Sequence, residues 1–331
     1  MREVAELAGV ALSSVSRVLT GHPDTSNEMR ERVLAAVAQL GYEPDMLAQS
    51  MRRGSTMSVG FVVGDISNPL LAEIAHGAET TLRDAGYSML LTNSDNKAAL
   101  DAEHIRLLRQ RRVDGLLLSL AAEDDAVTIE ALRNADAPIV LIDRELPEDI
   151  GASAVLSDHR SGIRAAVEHL IDLGHRDIAL IVGQPLRPSR ERVAGLEEAF
   201  AARGLPPTYS IVAGQMTAKH GQAATRALLD RATPPTAMVA GGNQILVGTL
   251  REIVERGVAV GQDLSLVSCD DYAISELLSP QIAVVRRDYA EMGKQAAKLL
   301  LRRLGGDERP RTVTLPTTFV PRASCVRVET S

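Results

Sequence analysis

The sequence predicts an α/β protein with a small helical domain at its N-terminus and a larger core of parallel sheets. Residues 1–43 show only short helical patterns, whereas from residue 57 onward short apolar runs alternate with longer amphipathic segments. Alternation of strands and helices is typical of parallel sheets that are covered on both faces. A chain of 331 residues is also long enough for at least two domains.

The first two helices are predicted from a glycine and an apolar repeat. Gly9 follows the first helical run and suits the left-handed residue that ends a helix. Val15, Val18 and Leu19 then repeat at i, i+3 and i+4, which predicts one buried face on the second helix. The two helices are therefore expected to form a hairpin around a tight turn.

The third helix is predicted between Ser26, a suitable N-cap, and Gly41. Its apolar stripe consists of Met29, Val33, Val37 and Leu40. Residues 44–56 are predicted to be a hinge, in which Asp45 can cap a short helix running through Met51. A helix of that length is marginal in water, so we expect it to order only against a partner.

The core is predicted from seven apolar runs and four helical patterns. The strand candidates are 59–63, 87–92, 113–119, 138–143, 177–182, 236–241 and 264–269. The helical patterns cover 97–111, 160–173, 243–256 and 289–304. Acidic or amide residues follow several of the strands, which predicts two doubly wound lobes with a cleft at the carboxyl ends of their strands.

The composition argues against several classes of protein. No apolar run approaches the roughly 20 residues needed to span a bilayer, and no secretory signal pattern is present, so we expect a cytoplasmic protein without a membrane partner. Cys269 and Cys325 lack the spacing of metal ligands and are expected to be buried thiols. The net charge of −7 argues against a general polyanion binder, and residues 1–54 carry six arginines and seven acidic residues.

The helical hairpin at the N-terminus is typical of a helix-turn-helix, whose second helix enters the major groove of DNA. Serine hydroxyls can contact phosphates or base edges, Arg17 can neutralise a phosphate, and an exposed Leu12 can pack on a thymine methyl group. The candidate DNA contacts are Leu12, Ser13, Ser14, Ser16, Arg17 and Ser26. The alternative is a helical bundle that merely caps the core, with Leu12 buried.

Ordered segments along nearly the whole chain resemble the LacI/GalR family of bacterial transcription regulators. The headpiece match is VAELAGVALSSVSRVLTG followed by TSNEMRERVLAAVAQLGYEPDMLAQSM. Core matches include SVGFVVGDISNPLLAEIAHGAE, HLIDLGHRDIALIVG, RVAGLEEAF and LSLVSCDDYAISELLSPQIAVVRRDYAEMG. The resemblance implies a DNA-binding repressor that is not an enzyme, has no cofactor and is controlled by a small molecule.

The resemblance further implies a homodimer on double-stranded operator DNA. Recognition helices would lie in adjacent major grooves, and paired hinge helices would enter the minor groove between them. By position, Leu12, Ser13 and Arg17 match base-reading and phosphate-contacting residues of the family. Met51 matches an apolar wedge that partly unstacks a central base step, and Arg52 beside it is a further candidate contact. A pseudo-palindromic operator with a flexible central pyrimidine–purine step is therefore expected.

The core is implied to resemble type I periplasmic binding proteins, with an effector, a sugar or related metabolite, between its lobes. The N-lobe is expected at about 57–157 plus 287–317, and the C-lobe at about 158–286 plus 318–331. The candidate ligand contacts are Asn68, Leu70, Asp143, Arg192, Asn243, Asp270 and Tyr289. Carboxylates and a guanidinium suit ligand hydroxyls, and an aromatic face suits the apolar side of a ring.

The candidate cleft residues also have structural interpretations that do not involve a ligand. Asp143 and Arg192 could instead form surface ion pairs, and Tyr289 could be core filling. Departures from the family pattern also matter: His159 stands where asparagine is common, and Gly242–Asn243 replaces a usual Asn-Asp. Both changes argue against a plain hexose as the effector.

Other departures from the family pattern lie in the headpiece and hinge. Ala11 replaces a capping serine, which removes one side-chain partner from the recognition helix at a typical cost of about 1 kcal/mol. Asp45 and Gln49 reduce the attraction to phosphate.

Two further function classes, an enzyme and a solute-binding protein, fit the sequence less well than a regulator. No GxGxxG, GxxxxGK[ST], GxSxG or HExxH motif is present, so an enzyme is disfavoured, although Cys269 lies at the end of a strand, where a nucleophile could stand. The histidines are too scattered for a metal site. A solute-binding protein of a transporter would fit the core alone, but the headpiece argues against it. The last dozen residues lack leucine heptads, so we expect a dimer and not a tetramer.

Overall fold

The computed structural model describes residues 1–19, 22–42 and 54–328. The chain divides into two compact units, residues 1–56 and residues 57–331. Most of the predicted hinge, with Asp45, Gln49, Met51 and Arg52, lies outside the described residues. No described helix combines the length and the apolar character needed to cross a membrane.

The first unit contains the three predicted helices, α1 (Arg2–Ala8), α2 (Leu12–Leu19) and α3 (Asn27–Leu40). Gly9 and Gly41 end α1 and α3 in the left-handed conformation, with φ of 62° and 55°. Both glycines were predicted for this role, because only a residue without a Cβ adopts such a φ without strain.

The core of this unit is small and is built from one face of each helix. The buried residues are Val4, Ala5, Ala8, Val15, Val18, Val33 and Ala36. The predicted stripe of α3 was wrong at its end: Leu40 is 42% exposed, and Ala36 contributes to the buried face instead. Leu40 lies on the same face as Val33, but it is the last residue of α3, and the buried part of that face ends at Ala36. Arg32 fixes α3 to α1, since its Nε donates to the Ala8 carbonyl at 3.0 Å.

The second unit contains two six-stranded sheets. The first has the order β11-β5-β4-β3-β1-β2, and all its neighbouring strands are parallel. Its strands are β1 (Ser58–Val63), β2 (Ser88–Asn93), β3 (Gly115–Leu118), β4 (Ile139–Ile142), β5 (Ser153–Ser157) and β11 (Thr312–Leu315). We call this sheet with its helices the N-lobe.

The second sheet has the order β12-β10-β9-β8-β6-β7, and only β12 runs antiparallel to its neighbour. Its strands are β6 (Ile178–Val182), β7 (Ser210–Ala213), β8 (Ala237–Ala240), β9 (Ser265–Cys269), β10 (Ala283–Arg286) and β12 (Thr318–Val320). We call this sheet with its helices the C-lobe. The seven predicted strands are all present, each within two residues of its expected ends.

Helices follow most strands and cover the sheets, because strands such as β6 and β8 are apolar and buried along their whole length. They are α4 (Pro69–Asp84), α5 (Ala98–Gln110), α6 (Ala126–Arg133), α7 (His159–Asp172), α8 (Arg187–Ala202), α9 (Ala218–Leu229), α10 (Asn243–Arg256), α11 (Ala273–Leu277) and α12 (Tyr289–Leu304). The four helices predicted in the core are confirmed as α5, α7, α10 and α12.

The chain passes between the lobes three times. It leaves β5 for α7, returns from β10 to α12, and crosses again between β11 and β12. In each lobe the loops at the carboxyl ends of the parallel strands face the other lobe across a cleft. This arrangement brings residues that are far apart in sequence to one place.

Helices α4 and α12 of the N-lobe touch backbone to backbone. A Cβ built on Gly293 of α12 would lie 1.9 Å from the Ile74 carbonyl oxygen of α4. A Cβ on Gly77 would lie 2.2 Å from the Ala290 carbonyl oxygen. Glycine at both positions is required by the close approach of the two helices.

We expect Gly293→Ala to lower the free energy of unfolding of the full chain by about 1–2 kcal/mol. Alanine favours a helix interior over glycine by about 1 kcal/mol, but separating two packed backbones costs about 1–3 kcal/mol, and the steric term should win. Urea denaturation followed by circular dichroism would measure this change. The control is Gly305→Ala at the end of the same helix, where the nearest atoms lie at 3.4 Å and the change should stay within about 0.5 kcal/mol. A Gly293→Ala protein as stable as the wild type would contradict the packing argument.

Candidate functional site

The second helix of the headpiece presents an outward face with one large apolar residue. Leu12 is 50% exposed, whereas Val15 and Val18 are buried and hold α2 to the other helices. Ser13 and Arg17 are exposed beside Leu12. Leu12 is therefore not buried within the headpiece.

Three further candidate DNA contacts, Ser14, Ser16 and Ser26, are half-buried or have a structural role. Ser14 and Ser16 are half-buried. The Ser26 hydroxyl is the predicted N-cap of α3, since its Oγ accepts from the Met29 amide at 3.2 Å. At the start of α2 the Ala11 carbonyl accepts from the Ser14 amide at 2.9 Å, while its methyl group offers no side-chain cap.

The seven candidate ligand residues line one cavity between the lobes. They are Asn68, Leu70, Asp143, Arg192, Asn243, Asp270 and Tyr289. The side chains of Asp143 and Arg192 are buried, so the interpretation as surface ion pairs is wrong. Tyr289 is both core and cavity lining, because it packs in the N-lobe core and also faces the cavity.

Asp143 follows β4 and holds a network of donors from its own lobe and from the crossover. Its Oδ1 accepts from the Ser157 amide at 2.7 Å. Its Oδ2 lies 3.2 Å from His159 Nε2 and accepts from Arg287 Nη1 at 2.6 Å. Asp143 itself has a φ of 51°, an uncommon conformation for a residue other than glycine.

Asp270 stands at the matching place in the C-lobe, directly after β9, with a φ of 84°. Its Oδ1 accepts from Arg287 Nη2 at 2.7 Å and from the Tyr289 hydroxyl at 2.6 Å. Its Oδ2 accepts from the Asn243 amide at 3.3 Å, at the first residue of α10. The carboxylate therefore ties together the two helices that begin at the cleft.

Arg287 is a cavity residue that the sequence reasoning missed. It lies at the crossover between β10 and α12, and its guanidinium bridges Asp143 of the N-lobe and Asp270 of the C-lobe. Its Cζ also lies 4.8 Å from the centre of the Tyr289 ring. The available signal was the second arginine in VVRRDY, which directly follows an apolar run at a position where a cleft residue is expected.

Two amides meet across the mouth of the cleft. Asn243 Nδ2 donates to Asn68 Oδ1 at 2.9 Å, and the reverse contact from Asn68 Nδ2 to Asn243 Oδ1 is 3.5 Å. Asn68 also caps α4, since its Oδ1 accepts from the Leu70 amide at 3.1 Å. Both amides stand at helix N-termini, Asn68 before α4 and Asn243 as the first residue of α10.

Arg192 of α8 lies deeper, at the C-lobe side of the cavity. Its Nη1 donates to the Gly241 carbonyl at 2.7 Å, and its Nη2 is 4.0 Å from Asp270 Oδ1. Its Nε is buried and has no hydrogen-bond partner in the structure. Buried polar atoms are normally satisfied, so this guanidinium has capacity for a further acceptor.

The buried charges shift the ionisation of the cleft residues. Burial alone would raise the pKa of Asp143, but His159, the Arg287 guanidinium and the Ser157 amide hold that pKa well below its usual range. Burial would likewise raise the pKa of Asp270, but Arg287 and Arg192 lower it to about 2. Burial lowers the pKa of His159 to about 4 despite the neighbouring Asp143. The cleft at neutral pH therefore holds two carboxylates and an uncharged histidine.

We found no grouping of histidine, cysteine and acidic side chains suited to a metal ion within residues 1–19, 22–42 and 54–328. Cys269 and Cys325 carry no disulfide, and burial raises the pKa of both thiols to about 11. A thiol with such a raised pKa is a poor nucleophile at neutral pH.

We expect the stability of the protein to fall between pH 6.5 and about pH 4 because of His159. Between these pH values the histidine binds a proton in the unfolded chain but stays uncharged in the folded protein, because only its folded pKa is lowered. The stabilising contribution is therefore complete above pH 6.5 and is lost as the pH falls toward 4. His159→Asn should remove roughly 1–3 kcal/mol of that loss. Urea denaturation of both proteins at several pH values measures it. The difference in unfolding free energy between the two proteins should be constant above pH 7. If the two free energies fell in parallel from pH 7 to pH 4, the assignment to His159 would be wrong.

Two family models match the chain, one in each unit. Residues 1–45 match the model described as "Bacterial regulatory proteins, lacI family". Residues 167–325 match the "Periplasmic binding protein-like domain". The two matches correspond to the helical headpiece and to much of the two-lobed core.

Relatives of known name match the chain along nearly its whole length. The ribose operon repressor of Haemophilus influenzae is 31% identical over 328 residues, which cover 98% of both chains. The regulator AscG of Escherichia coli is 32% identical and covers 96% of this chain and 95% of its own. Among solved structures, the lac repressor dimer bound to operator and the anti-inducer ONPF has a TM-score of 0.86, at 27% identity and 98% coverage of both chains.

The matches cover both the headpiece and the two-lobed core. The relatives are repressors and transcription regulators, and the structural match includes the headpiece as well as the core. The chain therefore belongs to the LacI family of bacterial transcription regulators, which bind DNA and are not enzymes.

Proposed function

We propose that the protein represses transcription as a homodimer that binds a pseudo-palindromic operator and responds to a small molecule in its cleft. Residues 1–43 would act as the DNA-binding headpiece, 44–56 as the hinge and 57–331 as the effector-binding and dimerisation core, in the cytoplasm. The observation that carries the proposal is the outward face of α2, where Leu12 is half exposed beside Ser13 and Arg17.

On the DNA, α2 would lie in the major groove with Leu12 against a thymine methyl group. The exposed Ser13 would contact a base edge, and Arg17 a phosphate. Further contacts to the DNA backbone are assigned to Ser14, Ser16, Ser26 and Arg52. Met51 is assigned to the apolar wedge in the minor groove, where unstacking a base step bends the duplex.

In the core, the seven cavity residues would hold a sugar or a related metabolite. Asp143 and Asp270 can accept from ligand hydroxyls, Arg192 has an unused donor, and Tyr289 offers an apolar face beside them. Asn68 and Asn243 would exchange their mutual hydrogen bond for bonds to the ligand, and Leu70 would contact its apolar part. A family regulator from Enterococcus faecium has been solved with bound ribose, at 26% identity and a TM-score of 0.73.

The second subunit would contact the edge of the N-lobe sheet. Strand β2 is the last strand in that sheet, and its Leu90 and Leu91 are 41% and 37% exposed. Exposed apolar side chains on an edge strand are typical of a surface that another chain covers. A ligand that changes the angle between the lobes would then change the spacing of the two hinges, and DNA must alter ligand affinity by the same factor.

Selection of bound duplexes from a random pool should yield a pseudo-palindrome with a pyrimidine–purine step at its centre. Two-fold symmetry of the dimer requires two half-sites, and flexible steps are the easiest to unstack. The selection would use purified full chain at low and near-physiological salt, since nonspecific binding fades as salt rises. Enriched sites without a dyad would contradict dimeric docking.

The matched control for this selection uses two leucines that are each 50% exposed, Leu12 on α2 and Leu34 on α3. Leu12→Ala should weaken binding to the selected operator about five- to tenfold and relax the preference at one base position. Leu34→Ala should change neither. Equal effects of the two variants would show that Leu12 acts through the stability of the headpiece.

The effector site is tested with the selected operator as the probe. Sugars and related metabolites are screened for compounds that change its affinity for the wild type. For such a compound Asp270→Asn should raise the half-effective concentration at least about tenfold, as expected when a hydrogen bond to a charged group is lost. The control is Asp271→Asn, because Asp271 pairs with Arg286 and Arg322 but does not line the cavity. A normal response in Asp270→Asn would place the effector elsewhere.

A further inference from the structure

A second set of contacts between the lobes lies outside the effector cavity. It consists of Glu123 and Glu145, in the N-lobe loops after β3 and β4, and Arg187 and Arg190, in the first turn of α8 in the C-lobe. We call these four residues the rim cluster. Of the four, none lines the cavity that holds the candidate ligand residues.

The rim cluster is a closed network of charges. Arg190 Nη1 donates to Glu123 Oε2 at 2.6 Å, and its Nη2 donates to Glu145 Oε2 at 3.0 Å. Arg187 Nε donates to Glu145 Oε1, also at 3.0 Å. Within the N-lobe the Glu145 amide donates to Glu123 Oε1 at 3.0 Å, which orients the two acidic loops.

The N-terminus of α8 depends on the other lobe for its cap. Its N-cap residue, Leu186, makes no side-chain capping bond. The Arg187 amide instead donates to the Glu123 carboxylate, at 3.1 and 3.2 Å from its two oxygens. A carboxylate at a helix N-terminus is favourable both as an acceptor and through the helix dipole. Opening the cleft would therefore remove the cap of α8.

The rim cluster is also connected to the effector cavity. Arg187 Nη1 donates to the Ser157 carbonyl at 3.1 Å and lies 3.8 Å from Asp143 Oδ1. The same helix carries Arg192 one turn and a half further on. Contacts at the rim therefore set where two arginines stand relative to the cavity carboxylates.

We propose that the rim cluster is a clasp that holds the two lobes closed in the absence of an effector. The side chains of Glu123 and Arg187 are only 10% and 9% exposed, so salt screens their contacts less than those of an ordinary surface pair. Arg190 and Glu145 are about half exposed and supply the part that salt weakens. Any role of the clasp in effector or operator binding rests on the proposed function, whereas closure of the lobes by the clasp does not.

The experiment is hydrogen exchange by mass spectrometry on the full chain, without DNA or effector. Arg190→Gln should raise the exchange rate about threefold or more in two segments, 64–71 and 241–246, which lie at the cleft mouth and do not touch the rim cluster. Glu145→Gln should do the same, and the double variant should raise exchange by less than the product of the two single effects, because both single variants remove the Arg190–Glu145 pair.

The matched control is Arg160→Gln. Arg160 is 44% exposed, close to the 46% of Arg190, and also pairs with two carboxylates, Glu191 and Glu198, but all three belong to the C-lobe. It should leave exchange at the cleft mouth unchanged. Raising KCl from about 50 mM to about 500 mM should increase exchange in the wild type and have little effect on Arg190→Gln.

Two results would overturn the clasp. One is faster exchange confined to the rim segments, which would show a local role only. The other is an equal response of Arg160→Gln at the cleft mouth. Because the measurement needs no ligand, a protein that binds no operator but shows the expected exchange would keep the clasp and refute the proposed function. A protein that binds its operator without this exchange response would do the reverse.

Discussion

The guanidinium of Arg287, only 12% exposed, is shared by two carboxylates from the two lobes. Asp143 and Asp270 come from different sheets, and the guanidinium between them lies on the crossover that connects the lobes. Breaking a buried ion pair typically costs about 3–5 kcal/mol, because the remaining charge is left without a partner. A ligand that enters the cavity must therefore supply donors to the carboxylates wherever it displaces the guanidinium.

The same interaction explains an uncommon backbone. Asp143 and Asp270 both have positive φ and occupy matching places, after β4 and after β9. Such a conformation costs about 1–3 kcal/mol outside glycine and persists only where surrounding contacts fix it. Here the contacts are the hydrogen bonds of each carboxylate, so strain and charge pairing stand at the same two residues.

The sequence predicted the buried strands β1, β3, β4, β6, β8 and β9 from their continuous apolar runs, and also the exposed edge strand β2. It did not predict β7, β11 and β12, which are three or four residues long and half exposed at the edges of the sheets. It also missed β5 and β10, which are buried but have short apolar runs. The family resemblance implied the cavity residues, and the structure brings all seven to one cavity. Arg287 was missed because a bridge between two lobes is a tertiary property, and Leu40 was misplaced because helical periodicity does not reveal where a stripe ends.

The N-lobe has little freedom to respond by internal change. Asn68 stands at the start of α4 and Tyr289 at the start of α12, and the two helices touch at Gly293 without an intervening side chain. These two cavity residues therefore keep a fixed separation, since densely packed elements do not deform continuously. In the C-lobe, Asn243 is tied to Asp270 by a hydrogen bond from its backbone amide at 3.3 Å. A signal from the cavity must then travel as a rigid movement of one lobe against the other, with Arg287 and the rim cluster as the contacts that such a movement would break or keep.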